Sequence, residues 1–214
     1  MENWNERSSM LPENFVVIDL ETGGLDAERH PILELGAVDS AGRELNLRVR
    51  TNKMDLEAKA LDVNGMSLGE VGAGMSPMRA MLRLCGWLHD GTRKPRRWLL
   101  GGKNPQFDFG FLAEEWPDDQ LGKLTDLISR RAVDLHSIAY EWAIRAGMDL
   151  AADDFQTEQV YAAWGIPREP EPHHALRGAR IEMLGFRRVL EDRVPTESEI
   201  QRALEPTRED AETE

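Results

Sequence analysis

The run FVVIDLETGG, residues 15–24, sets the first element of the fold. Val16, Val17 and Ile18 are β-branched and Phe15 and Leu20 are apolar, the composition of a strand. Side chains alternate across a strand, so Phe15, Val17, Asp19 and Glu21 share one face and Val16, Ile18 and Leu20 the other. Both faces begin apolar, as in a strand covered on both sides. Thr22-Gly23-Gly24 then ends it. Two carboxylates on one face of a buried strand end are costly unless a positive charge lies between them. The other reading is that both simply point into water. On spacing alone the two stand level.

The 214 residues suffice for one domain with a full core and tails. Cys85 is the one cysteine, which excludes an intrachain disulfide or a cysteine zinc site and fits a reducing cytoplasm. It sits in MLRLCGWL and reads as a packing residue. No apolar run is long enough to span a membrane, and MENWNERSSMLPEN has no apolar signal region. The net charge of −13 argues against coating nucleic acid non-specifically. It leaves room for an enzyme that grips one strand end through metal ions.

Further along, HPILELGAVDS and RELNLRVRT read as a second and third strand joined by a turn at Ser40-Ala41-Gly42. Residues 52–76 read as loop with a short helix. PMRAMLRLCGWLHD has helical periodicity, with Met78, Met81, Leu82, Cys85 and Leu88 on one face. TRKPRRW reads as a solvated basic loop, and WLLGG as a short buried strand. In KNPQFDFGFLAEEW, Asn104 suits a helix N-cap and Pro105 the first helical position, with Asp108 just inside. VDLHSIAYEWAIRAG, DDFQTEQVYAAWGI and HHALRGARIEMLGFRRVLEDR read as three more helices, the last entered through Pro172. TESEIQRALE reads as an exposed terminal helix and EPTREDAETE as an acidic tail. Strands followed by mixed strands and helices predict an α/β domain with a mixed sheet. The expected division is an N-terminal extension at 1–13, the main domain at 14–192, and a C-terminal helix and tail at 193–214.

Four segments in order carry a family resemblance. VIDLETGGLD…HPILELGAV resembles the first motif of the DEDDh 3′–5′ exonuclease superfamily, which includes the ε-type proofreading exonucleases, oligoribonuclease and ribonuclease T. KNPQFDFGFL resembles its second motif, VDLHSIAYEWA the helix that follows, and EPHHALRGAR its third. LDVNGMSLGE also resembles the loop ahead of that family's first long helix. The resemblance spans roughly residues 15–190.

It implies a ribonuclease H-like fold with a mixed central sheet flanked by helices. It also implies removal of nucleotides from the 3′ ends of single-stranded DNA or RNA. Asp19, Glu21 and Asp108 are then the expected ligands of two Mg2+ or Mn2+ ions, since such ions prefer carboxylate and phosphate oxygens. Two ions about 4 Å apart can flank one scissile phosphate. His173 matches the general base, a task suited to histidine chemistry near neutral pH. Thr22, Gly23, Gly24 and Leu25 are expected at the terminal nucleotide, with glycine allowing close backbone approach, and Asn104 near the substrate. A homodimer or a polymerase-associated subunit is equally compatible, and the expected location is the cytoplasm. Each residue has a plainer reading: Asp108 as a favourable charge in a helix's first turn, His173 as a surface residue, Asn104 as a cap. His89 and His136 read as structural.

The third motif departs from the pattern. With His173, Ala175, Leu176 and Ala179 in register, the superfamily's final aspartate falls on Gly178. A helix-interior glycine costs about 1 kcal/mol relative to alanine, so it brings no evident local benefit. Three readings stay open. The site works with three carboxylates and favours manganese; or Glu182, one turn later on the same face, substitutes; or catalysis is lost and the chain is a module binding nucleic-acid ends or a protein partner. In that last case Arg177 and Arg180 would contact phosphate.

Overall fold

Residues 11–51, 55–91, 96–148 and 155–206 are described by the structure, a computed structural model. Five strands, β1 (Phe15–Thr22), β2 (Ile32–Asp39), β3 (Glu44–Arg48), β4 (Trp98–Gly102) and β5 (Ile128–Asp134), form one sheet in the order β3-β2-β1-β4-β5. β1–β2 and β2–β3 pair antiparallel, and β1–β4 and β4–β5 pair parallel. The sheet is thus mixed, with β1 at its centre. The chain is α/β, as the order of elements in the sequence predicts.

The two faces of β1 look into two cores. Val16, Ile18 and Leu20 pack with α3 (Pro77–Gly91), α4 (Pro105–Glu115) and α6 (Leu124–Leu127). Cys85 lies in that core, as a packing residue should. Phe15 and Val17 pack with α7 (Leu135–Arg145), α8 (Glu158–Trp164) and α9 (Ala175–Leu190). Phe15 meets Phe186 of α9 edge-on with ring centroids 4.9 Å apart, a favoured aromatic geometry. Asp19 and Glu21 continue the Phe15–Val17 face and so run out beneath α9.

Gly36 of β2 decides how near α9 lies. A Cβ there would overlap the backbone of Ala175 and Leu176, so the helix start rests directly on the strand. The carboxylate of Glu34, two residues earlier on β2, accepts the Ala175 N–H at 3.4 Å and lies 3.3 Å from His174 Nδ1. The helix N-terminus is therefore served by a side chain from the sheet, not by its own N-cap, His174, which makes no side-chain cap bond.

The loop between β3 and α3 holds two short helices, α1 (Ala58–Asn64) and α2 (Leu68–Val71). A short α5 (Asp118–Leu121) precedes α6. The terminal helix α10 (Glu197–Leu204) is less exposed than its sequence suggests, because Ala203 is buried in the core with α9. β5 was hidden in the sequence: ISRRAVD sets Ser129, Arg130 and Arg131 in a row and has no apolar alternation. It forms because its backbone completes the parallel edge beside β4. Among the described residues no helix is long and apolar enough to cross a membrane. The acidic tail beyond residue 206 lies outside the described residues.

Candidate active site

Asp19 and Glu21 reach the floor of a cavity of about 400 Å3 between β1 and α9, which His173, Gly178, Glu182, Glu169, Lys103 and Tyr161 also line. Asp108 approaches from the first turn of α4. Its Oδ1 accepts the Leu20 N–H at 3.1 Å, which ties the helix to β1 between the two strand acids. Asp19, Glu21, Asp108 and His173 are therefore brought to one end of the sheet.

Glu182 joins them. It is 7% exposed, and the backbone N–H of Lys103 donates to its carboxylate. Its charge is the strongest of those acting on Asp19 after burial itself. Gly178 stands beside Asp19: an added Cβ would overlap Asp19 Oδ2 and lie 2.9 Å from its Cγ. The glycine thus has a local reason that the sequence does not reveal. It lets the Asp19 carboxylate press against α9, while the fourth acid comes from one turn further along.

A fifth acid, Glu169, was missed by sequence reasoning. One carboxylate oxygen accepts the His174 N–H at 2.9 Å and the other lies 3.9 Å from His173 Nδ1. It sits in the proline-rich segment REPEP with no periodicity to mark its direction. Lys103 brings positive charge to this group, with its ammonium 2.6 Å from Glu158.

The crowding is expressed in proton affinity. Burial, reinforced by Glu169, Glu34 and Asp108, pushes the Glu21 carboxyl up to about 9. Burial lifts Asp108 to about 7 despite the N–H groups that bond it, and burial with Asp108 lifts Glu182 to about 8. Asp19 and Glu169 are raised as well, chiefly by burial. Like charges gathered in low dielectric resist ionisation in this way unless a cation joins them.

Among the described residues no three acidic or histidine side chains are already closed around an ion-sized point. The fit to a hard divalent cation lies in the donor chemistry: four carboxylates, oxygen only, whose mutual repulsion the single charge of Lys103 offsets only in part.

The residues expected at the terminal nucleotide do not line this cavity themselves; Thr22 and Asn104 adjoin Glu21 and Lys103, which do. Thr22 Oγ1 donates to the Gly24 carbonyl at 2.7 Å. A Cβ on Gly23 would meet Leu56 and Pro31, and one on Gly24 the His30 ring at 2.7 Å. The protein's own packing thus accounts for both glycines. Leu25 is 79% exposed at the tip. Asn104 is not a side-chain cap: it adopts φ 62°, and its backbone N–H donates to Asp134 Oδ1 at 3.1 Å. His136 is structural, with Nδ1 2.9 Å from Thr157 Oγ1. Arg177 donates to the Pro170 and Pro172 carbonyls, and Arg180 pairs with Glu44 at 2.8 Å. Both arginines are engaged within the protein.

No protein-family profile matches the chain. No curated protein matches it in sequence. Solved structures do match. E. coli Exonuclease I in complex with a dA16 oligonucleotide superposes with TM-score 0.65 and 14% identity over 88% of this chain and 42% of that one. Its complex with dT13 gives 0.62 and 16% over 83% and 41%, and apo Exonuclease I gives 0.61 and 16% over 83% and 43%. The chain spans less than half the length of these proteins. What it has in common with them, on this likeness, is the ribonuclease H-like α/β fold.

Proposed function

We propose that this protein is a metal-dependent 3′–5′ exonuclease that hydrolyses the terminal phosphodiester of single-stranded DNA or RNA. The observation that carries this reading is the convergence of Asp19, Glu21, Asp108 and Glu182 with His173 at one end of the central strand. The shared fold supports it, and E. coli Exonuclease I was solved with dT13 and dA16 oligonucleotides and as a complex with ssDNA.

Asp19, Glu21, Asp108 and Glu182 would hold Mg2+ or Mn2+, which supplies Lewis-acid polarisation of the phosphate and neutralises developing charge. Glu182 takes the role of the aspartate absent at Gly178. His173 accepts the proton of the attacking water. Its ring is 39% exposed, open to solvent and substrate, and the Glu169 carboxylate 3.9 Å from Nδ1 stands where it could steer the ring. Leu25 and the 22–24 turn border the terminal nucleotide, and Asn104 lies near its backbone.

The test is a gel assay of labelled single-stranded DNA and RNA with Mg2+, Mn2+ or chelator. Stepwise shortening from the 3′ end, abolished by chelator and by Asp19→Asn, is the expected result. Binding of oligonucleotide without products under any metal would replace this reading with a binding module.

A further inference from the structure

A second concave surface lies on the opposite layer of the sheet. A groove of about 640 Å3 is floored by Phe109, Ala113 and Leu124 and rimmed by Arg97, Lys123, Arg130 and Arg131, with Thr125, Ser129 and Asp118. All four cations are exposed. Acids outnumber bases 39 to 26 in this chain, and several arginines outside the groove pair with them: Arg29 with Asp55, Arg43 with Asp39, Arg180 with Glu44, Arg193 with Glu199. Among the described residues none of the four groove cations makes a salt bridge, although Asp118 lines the same groove. Four exposed cations around one groove make a local positive potential on an otherwise acidic protein, which attracts anions to that face.

Strand β5 connects the groove to the edge of the carboxylate cavity. Ser129, Arg130 and Arg131 follow Ile128 at the start of β5, and Asp134 closes it where its carboxylate holds the Asn104 N–H. Arg131 and Asp134 are three residues apart, roughly 10 Å along a strand. Lys103, next to Asn104, lines the catalytic cavity. The Gln106 amide, in the first turn of α4, donates to the Arg130 carbonyl at 3.3 Å and braces this edge against the helix that carries Asp108.

The geometry points to a binding site for the sugar-phosphate backbone of a single strand, a few nucleotides on the 5′ side of the bond cut in the carboxylate cavity. Arg97, Lys123, Arg130 and Arg131 contact its phosphates and the Thr125 and Ser129 hydroxyls add hydrogen bonds. The site deepens the exonuclease reading, since it makes the protein a reader of strand length. Phosphate contacts position a strand without reading its sequence, so the groove takes any base.

The test is fluorescence anisotropy of the full chain in chelator, where no hydrolysis occurs, with a labelled single-stranded 20-mer and a trinucleotide. The wild type binds the 20-mer more tightly. The double variant R130E/R131E weakens 20-mer binding by roughly tenfold or more, and the salt dependence of log K falls by about 1.4 for two lost phosphate contacts on a single strand. A milder pair, R97Q/K123Q, weakens binding by less and lowers the salt dependence by about the same 1.4. Circular dichroism melts establish that both variants are folded. A 20-mer affinity within twofold of wild type in the folded variants overturns the site, as does equal wild-type affinity for 20-mer and trinucleotide. A polyglutamate peptide competing as well as an oligonucleotide of equal charge also overturns it, in favour of an acidic protein partner. Arginine-dependent 20-mer binding without any hydrolysis in metal keeps the groove and removes the exonuclease reading, so the two fail separately.

Discussion

Replacing Glu182 by glutamine is expected to stabilise the metal-free protein while it removes activity. Glutamine keeps the shape and an oxygen to accept the Lys103 N–H, and replaces the ionisable oxygen by a neutral NH2. The folded carboxyl, raised from 4.5 to about 8, keeps its proton to higher pH than the unfolded chain does. The unfolded chain therefore gains stability relative to the fold as pH rises from about 4.5 to 8. At pH 7 that gap is about 2.5 pH units, or at most ~3 kcal/mol at 1.36 kcal/mol per unit; at pH 5 it is ~1 kcal/mol or less. For a chain of this size ~3 kcal/mol is roughly 6–12 °C in Tm. Thermal melts in chelator at pH 5, 6, 7 and 8 give the test: the variant's advantage grows with pH. Saturating Mg2+ reverses the order, because the wild type gains more from the cation than a site lacking one carboxylate. A variant no more stable than wild type at pH 8, or an advantage flat across pH, would refute the electrostatic account of the cluster.

The remaining expectations concern other parts of the molecule. Gly178→Asp is expected to lower exonuclease turnover, not to raise it, because its Cβ displaces the Asp19 carboxylate; turnover above wild type in Mg2+ would mean that Glu182 does not fill the vacant role. Glu169→Gln is expected to reduce kcat by roughly tenfold or more with little change in KM and a shifted pH–rate profile, as orientation of a general base requires; an unchanged profile would make Glu169 only a packing residue. The Arg193–Glu199 pair holds the Glu199 carboxyl down at about 2, so its contribution is complete above pH 4.5 and is lost as pH falls toward 2. Discounted for its partial exposure, Glu199→Gln should cost about 1 kcal/mol at pH 7 and nothing near pH 2 in denaturant titrations; an equal cost at both pH values would exclude the ion pair as its source.

The sequence and the structure agree where a local pattern carries the information. The strand acids were legible because alternation puts Asp19 and Glu21 on the face of Phe15 and Val17, and Asp108 because a proline marks the start of its helix. β5 was not legible, since its place at a parallel edge depends on β4 and its side chains alternate nothing. Glu182 was available as one of three readings, because helical spacing shows which face it occupies but not how far that face is from β1. Glu169 had no signal at all: a loop acid's direction is set by the tertiary path of residues 166–174. Gly178 was misjudged for the same reason. Its cost is local, in the helix, and its benefit lies across space at Asp19.

Gly36 shows what such a dependence means for variation in this protein. It does not line the carboxylate cavity and has no side chain, yet the missing methyl sets the gap between the sheet that bears two acids and the helix that bears Glu182. Adding that methyl would lift the start of α9 and move the two halves of the site apart together, with every acid and the histidine still present. The acids and the histidine would then read as intact in the sequence while the distances among them no longer suited the proposed shared cation. Loss of function at this position would be a fault of alignment, detectable as weakened metal binding in a folded protein, and no inventory of reactive groups would foresee it.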